Sequence, residues 1–494
     1  MTLLPVEWHI LLFADIANFS PELQAMIQQG YLETRFEDYL TAHNGYWDSS
    51  SIEGFTERYE KRRGVTITRT RPGLKAPVVV PADNVAAQTP PNDGVTPSDF
   101  ALEQYTFAPM EFQDGIDIDL IGTHFSIVDR FDHAIKANVH QGVQTIDILA
   151  RDTFLAGYAT GAARVTTAAS TGANVSVHVD DIRGLKDVVV QGNVTNSGTV
   201  QPVSAANPLI ATVYPGGNTT GTFQVEIVGA AADATNSTDF VVLGAGTPGN
   251  PVNCRANGVS GTLTIQSLTT ALNPGDIIVA QDGPVQYVGS SGKMHWTYLS
   301  SSDNMLTSVM LEEAVASLAD DATPYAQNRR GQSEGTYVLH GSRSAFATLY
   351  RDPDFKQANQ TLGLSDIYVN GRVSQYLGVT FLPNTNAPKI PLAGGGYANP
   401  LILAGHGALV DAWFEGLEDW AMSEYNPATV NLADGIAQIL MPAYSDRMGR
   451  HAQLSWLTIR DIVAPTDITR TAVIKTASGS RRSRARVLWI WTPN

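Results

Sequence analysis

Hydrophobic positions along the chain change their period several times, and each change predicts a different kind of element. Ser20-Pro21-Glu22 reads as a helix start, and Leu23, Ile27, Tyr31 and Leu32 follow at helical spacing, with an end expected near His43 to Gly45. The period drops to two in VTITRTR, where Val65, Ile67 and the Thr/Arg positions take opposite faces until Pro72-Gly73 breaks the strand. Residues 73–107 are rich in Pro, Gly, Asn and Asp, which suits a long extended excursion. The return strand is EQYTFAPMEFQDGIDIDLIG. Outgoing strand, tip and return strand make an arm-like hairpin, and an arm with little core of its own lies on something else, here expected to be another copy. From 124 to 160 the period returns to that of a helix: Ile127, Phe131, Ile135, Val139, Val143, Ile146 and Leu149 hold one stripe for about 50 Å.

Near Gly161 the text turns to Thr, Ser, Asn, Gly and Val with few charges, and it stays so until about Ser302. NVSVHV, DVVVQG, PLIATVYP, TFQVEIVG, DFVVLG, GTLTIQSL and DIIVAQ are short, β-branched and separated by turn residues, the pattern of an all-β sandwich or small barrel inserted into the chain. Helical patterning resumes with Leu306, Met310, Leu311, Val315 and Leu318. A strand (TYVLHG), a short helix (SRSAFATLY) and a turn (RDPDF) come next. Strands VTFLP, PLILAGH, VNLA, GIAQILMP and LSWLTIRDIV follow, with the acidic segment DAWFEGLEDW among them and a basic tail of Arg481, Arg482, Arg484 and Arg486 near the end. The fold class is therefore α+β.

Composition adds exclusions. With 43% hydrophobic and 16% charged residues, the 494-residue chain is of ordinary globular character. Its net charge of −16 repels duplex phosphate, so specific nucleic-acid binding is not expected. The single cysteine, Cys254, leaves no internal disulfide and no multi-cysteine metal or redox motif. Glu7 stands where a secretory peptide carries Lys or Arg, and no stretch of about 18 apolar residues runs uncharged, so neither a signal peptide nor a membrane span is expected.

Candidate chemistry is thin. Gly244-Ala245-Gly246-Thr247-Pro248-Gly249 spells G-x-G-x-x-G after FVVL, but Pro248, Asn250 and Pro251 oppose the helix that a dinucleotide fingerprint needs. Gly289-Ser290-Ser291-Gly292-Lys293 lacks the first glycine and the hydroxyl residue of a phosphate loop. No G-x-S-x-G elbow, H-E-x-x-H pair or EF-hand spacing occurs. Asp117 and Asp119 share a strand face as a solvated or salt-bridged pair rather than an acid and base. His133 and His140 are two helical turns apart, too far for direct chelation without other ligands. The sequons at Asn193 and Asn218 matter only in a secretory compartment. No catalytic residue, cofactor or metal is expected.

Charge is patterned in blocks. Arg58, Lys61, Arg62, Arg63, Arg69, Arg71 and Lys75 crowd one segment, while Asp411, Glu415, Glu418 and Asp419 crowd another. A basic arm and an acidic surface on one molecule let copies join head to tail and close rings. These eleven positions are the candidate inter-subunit contacts.

The order of arm, long hairpin, long helix and α/β body resembles the major capsid proteins of tailed bacteriophages with the Hong Kong 97-type fold. TYVLHGSRSAFATLYRDPDF, GRVSQYLGVTFLPNTNAP and LTSVMLEEAVASLADDATPY look like segments of that family's axial domain and its return to the peripheral domain. The resemblance implies an N-terminal arm (1–64), an extended loop (65–121), a peripheral domain with its spine helix (122–162), an inserted, sandwich-like or immunoglobulin-like β domain (163–302), an axial domain with return strands (303–440), and peripheral strands with a C-terminal tail (441–494). It implies hexamers and pentamers of the same chain forming an icosahedral shell around double-stranded DNA held without sequence-specific binding. Scaffold, portal and possible decoration proteins are the further partners implied, with assembly in a bacterial host cytoplasm. Lys75 falls in the loop from which some members cross-link a lysine to a neighbour. Two other readings stand beside this one: an encapsulin-like compartment, and a carbohydrate-binding protein using Tyr287, Trp296 and Tyr298 of the β domain.

Overall fold

A computed structural model describes residues 45–47, 52–54, 67–72, 102–119, 130–190, 199–234, 260–281, 285–288, 295–299, 304–321, 323–326, 335–361, 375–384, 386–392, 396–413, 430–433, 436–442, 451–465 and 470–478. The helix expected after Ser20, the hairpin tip, the strand DFVVLG and the basic tail lie outside these residues. The chain opens with β1 (Ile52–Gly54), β2 (Ile67–Pro72), β3 (Leu102–Phe107), β4 (Met110–Asp119) and α1 (Arg130–Tyr158). The insertion holds β5 (Ala162–Arg164), β6 (Gly172–Val179), β7 (Asp187–Val190), β8 (Thr199–Pro202), β9 (Leu209–Tyr214), β10 (Phe223–Ala232), β11 (Gly261–Leu268) and β12 (Ile277–Ala280). The body continues with β13 (Val285–Val288), α2 (Ser308–Asp320), β14 (Tyr337–Gly341), α3 (Arg343–Leu349), α4 (Pro353–Thr361), β15 (Gln375–Tyr376), β16 (Val379–Pro383), β17 (Ile390–Pro391) and β18 (Tyr397–Ala404). It closes with β19 (Leu409–Trp413), β20 (Val430–Ala433), β21 (Ile436–Pro442), β22 (His451–Val463) and β23 (Thr471–Ser478).

The body is layered because its central strands are apolar on both faces. β18 and β23 pair antiparallel from Tyr397↔Ser478 to Ala404↔Thr471, and every residue of β23 is buried. Alternate side chains go to two cores. Ala398, Ile402, Ala404, Val473 and Ala477 meet Leu149, Ala150, Phe154, Leu155 and Tyr158 of α1. Leu401, Leu403, Ala472 and Ile474 meet Leu306, Met310, Leu311 and Leu318 around α2, with Phe346 and Leu349 of α3. The sheet runs β13-β23-β18-β14-β16-β15 and lies between α1 and the α2–α4 layer. A second sheet centres on β22, which carries β4 along 451–460, β21 along 452–458 and β19 along 460–463. β1 adds a parallel strand to β19.

α1 spans 29 residues, about 43 Å, and buries Val143, Ile146 and Leu149 as its stripe requires. Ile127 and the side chains of Phe131, Ile135 and Val139 lie outside the described residues. α2 starts where expected because the Thr307 side chain accepts from the Met310 N–H, and Asp352 accepts from both the N–H and the hydroxyl of Ser308. Two segments differ from the sequence expectation. RDPDF runs into α4 rather than staying a turn, since Pro353 sits in a first turn and Phe355 is buried. The stretch around Asp411, expected as part of an acidic segment, is strand β19.

The insertion is a closed barrel rather than a sandwich. Its sheet order is β5-β12-β9-β10-β11-β6, and Val165↔Val179 joins the two ends, with Thr166 N–H donating to His178 O and Asp180 N–H to Arg164 O. Every pairing around the ring is antiparallel, and alternate residues such as Val177, Val179, Val213, Ile227, Leu263 and Ile265 fill the interior. Among the described residues the six strands form one ring, and the separate β7–β8 ribbon packs Val188 against the same core. The insertion is also shorter than 163–302: β13 pairs parallel with β23, and Trp296 and Leu299 belong to the α1 core, so residues 285–288, Trp296 and Leu299 go with the body. Ala280 N–H donates to Gly161 O at 2.8 Å, so the chain enters and leaves the barrel side by side.

Candidate assembly surface

The arm begins where β4 leaves the second sheet. β2 and β3 pair antiparallel from Ile67↔Phe107 to Pro72↔Leu102 and join no larger sheet among the described residues. Phe107 is buried at the root. Ala108 N–H donates to the buried carboxylate of Asp461 at 2.9 Å, which fixes the point where the ribbon departs. Arg69 and Arg71 stand in register with Tyr105 and Glu103. Arg58, Lys61, Arg62, Arg63, Lys75, Glu415, Glu418 and Asp419 lie outside the described residues.

For Asp411 alone, the acidic-surface reading is corrected. It is 2% exposed, accepts from Arg460 Nη1 at 3.1 Å and from Trp47 Nε1 at 2.8 Å, and is therefore an internal ion-pair partner rather than a contact for another subunit. Arg460 is fully buried, donates through Nε to Thr458 Oγ1, and lies 5.0 Å from the Trp47 ring. A buried guanidinium needs such partners, because an unpaired charge in this core is strongly destabilising.

Asp147 is the other hub, and the periodicity argument missed it. Its Oδ1 accepts from the N–H groups of Gly45, Tyr46 and Trp47, and its Oδ2 from the amides of Asn384 and Asn386. The N-terminal segment and the loop after β16 are thereby tied to one point of α1. The signal was a carboxylate inside an apolar stripe, between Ile146 and Ala150. Beside it His340 stacks on Tyr46 at 5.2 Å, and burial holds its imidazole down at about 4. Burial, then the Asp147 carboxylate, raises the Tyr46 hydroxyl above its ordinary range.

The barrel meets the body through a charged seam. Asp180 accepts from Arg164 N–H and pairs with His295 at 3.4 Å, and Arg183 pairs with Asp181 at 2.9 Å. Burial raises the Asp181 carboxyl despite Arg183. Lys475, 1% exposed, sits 5.2 Å from the Trp296 ring, and burial brings its ammonium down to about 7 against the opposing pull of Asp180 and Asp181. Tyr298 donates to Gly275 O at 2.7 Å, and its ring fills the space a side chain at Gly217 would take. Trp296 and Tyr298 are thus committed to packing, which overturns their reading as sugar-stacking residues. The Tyr287 side chain lies outside the described residues.

His140 is exposed and bonds Gln144, and the His133 side chain lies outside the described residues. Asp117 stands opposite Gln453 and Asp119 opposite His451 on the β4–β22 ladder. Both glycine-rich motifs, 244–249 and 289–293, also lie outside. Among the described residues no group of three His, Cys, Asp or Glu could hold a metal, and no helix is long and apolar enough to cross a membrane.

No protein-family model matches this chain, and no curated protein does. Among solved structures it is similar to the capsid of Ralstonia phage GP4, at 12% identity over 88% of this chain and 92% of that one, with a TM-score of 0.44. The cyanophage Pam1 capsid matches at 13% identity, 88% and 90% coverage and a TM-score of 0.42. The head structure of Helicobacter pylori bacteriophage KHP40 matches at 6% identity, with the same two coverages and a TM-score of 0.41.

Proposed function

We propose that this chain is a major capsid protein of a tailed bacteriophage: a structural subunit, with no catalysis of its own, that builds an icosahedral shell around double-stranded DNA. The observation that carries the reading is the β2–β3 ribbon, anchored at Phe107 and Asp461 and joined to no larger sheet among the described residues. A two-stranded ribbon is marginal alone, so its stability comes from the surface it lies on. In this reading the arm lies across an adjacent copy, α1 is the spine of a peripheral domain with the β22 sheet, and the α2–β18 region is the axial domain of hexamers and pentamers. Burial at several interfaces of about 1,600 Å² holds the shell, while surface ion pairs worth about 0–1 kcal/mol set register. The barrel, joined by adjacent entry and exit strands, sits on the outer face. Scaffold and portal proteins assist assembly in the host cytoplasm, and Lys75 is a candidate cross-link donor.

Negative-stain electron microscopy of the purified chain, alone and with its scaffold, tests the reading. Closed shells or five- and six-membered rings support it. A folded chain that stays monomeric under both conditions overturns it.

A further inference from the structure

β15 and β16 are joined by a two-residue turn, with Tyr376 paired to Val379 and Leu377 and Gly378 at its tip. Both tip residues have positive φ, +49° and +71°, the conformation of a type I′ turn. Asn-Gly is the preferred pair there, because a branched, bulky side chain at positive φ clashes with its own backbone. Asn174, the other non-glycine residue with positive φ among the described residues, is of the tolerant type. Leu377 is not, and it is 42% exposed. It gains neither a relaxed backbone nor a core position within this chain, and strain of this kind persists where a contact compensates for it.

The surroundings define the contact. β15 is the outermost strand of its sheet, so the turn projects from an edge, and a side chain added at Gly378 would meet open space. Behind it Tyr376 packs on Phe355, and burial together with the carboxylates of Asp352, Asp354 and Glu312 holds its hydroxyl above the ordinary range. Glu312 and Glu313 are exposed on α2, one turn beyond Val309, itself 52% exposed. Asp352, three residues before Phe355, also accepts from the N–H and hydroxyl of Ser308, which brings the start of α2, with Val309 and its carboxylates, to the same region as the tip.

We infer that this edge is a docking surface for a second copy of the chain, in which Leu377 and Val309 are apolar anchors and Glu312, Glu313 and Asp354 receive the neighbour's basic segment, Arg58 to Lys75. Charge complementarity selects that occupant: seven cations crowd this one segment of a chain whose net charge is −16, and Asp411, one of the four carboxylates first expected to receive them, is buried inside its own subunit. The inference rests on the assembly reading and deepens it by naming the surface.

The test separates anchoring from folding. Leu377→Asn and Leu377→Gly relax the turn, so the melting temperature of the monomer is unchanged or higher, while the yield of particles, measured by sedimentation of the purified chain with its scaffold, falls at least tenfold relative to wild type. Yield equal to wild type overturns the inference, and so does a fall in melting temperature parallel to the loss of yield, which would make Leu377 a folding residue. A photo-crosslinking residue at position 309 then identifies the occupant by mass spectrometry: cross-linked peptides from residues 58–75 support the assignment, and cross-links elsewhere or none overturn it. A wild-type chain that never assembles in the same assay overturns the assembly reading itself, and this inference with it.

Discussion

The barrel and the body solve the same problem, burying a β-sheet, in opposite ways. The barrel closes on itself: its interior is filled by side chains from residues 163–280 alone, and the Val165↔Val179 bridge joins the two end strands of its six-stranded sheet. The body is sewn from distant pieces, with Tyr46, α1, Trp296, β18 and β23 in one core. Its buried carboxylates, Asp147 and Asp411, hold segments 102 and 364 residues away in sequence. A self-sufficient unit is dispensable to its host, whereas a sewn one fails when a stitch is cut.

The largest effect should come from cutting such a stitch. Asp147→Ala leaves three backbone N–H groups and two amides without their acceptor, and is expected to cost the body about 4 kcal/mol. Hydrogen exchange should rise in α1 and near residue 384 while the barrel strands stay protected. Loss of barrel protection in the same variant would break the contrast. Ile265→Ala is the converse: a cavity in the barrel costing about 3 kcal/mol, with increased exchange confined to residues 162–280.

The seam between the two units should answer to pH. Lys475 titrates at about 7 in the folded chain and at its ordinary 10.5 when unfolded, so between those values the unfolded state holds a proton that the folded state lacks. Its contribution to stability therefore rises with pH across that window, by up to about 1.4 kcal/mol per pH unit, and the penalty of burying the charge is complete below pH 7. Lys475→Met should flatten the stability profile between pH 7 and 10 as read by chemical denaturation; an unchanged slope would remove Lys475 from the seam. The smallest effect is a cap: Thr307→Ala should cost about 1 kcal/mol, seen as a small drop in melting temperature.

What was legible in the sequence follows the same division. Period and composition reveal α1, the ribbon and the β-rich insertion, because each is a local property of its segment. Ring closure was not legible, since it depends on whether residue 165 meets residue 179, and alternation along a strand is identical in a barrel and a sandwich. The insertion's end was misplaced because β13 is completed by β23, far along the chain. Asp411 was misread for a related reason: clustered charge along a sequence says nothing of depth, and its counterion Arg460 is 49 residues away. Leu377 carried a local signal, a leucine before glycine at a hairpin tip, that hydrophobic patterning treats as ordinary.

The position of β23 has a consequence in time. This strand lies between β13 and β18, so the central sheet has a gap until residues 471–478 have been made. The barrel is complete at Ala280, and at about 5–20 residues per second the ribosome needs some 10–40 s more to reach Thr471. Nascent chains therefore carry a finished barrel above an unfinished body until β23 has been made.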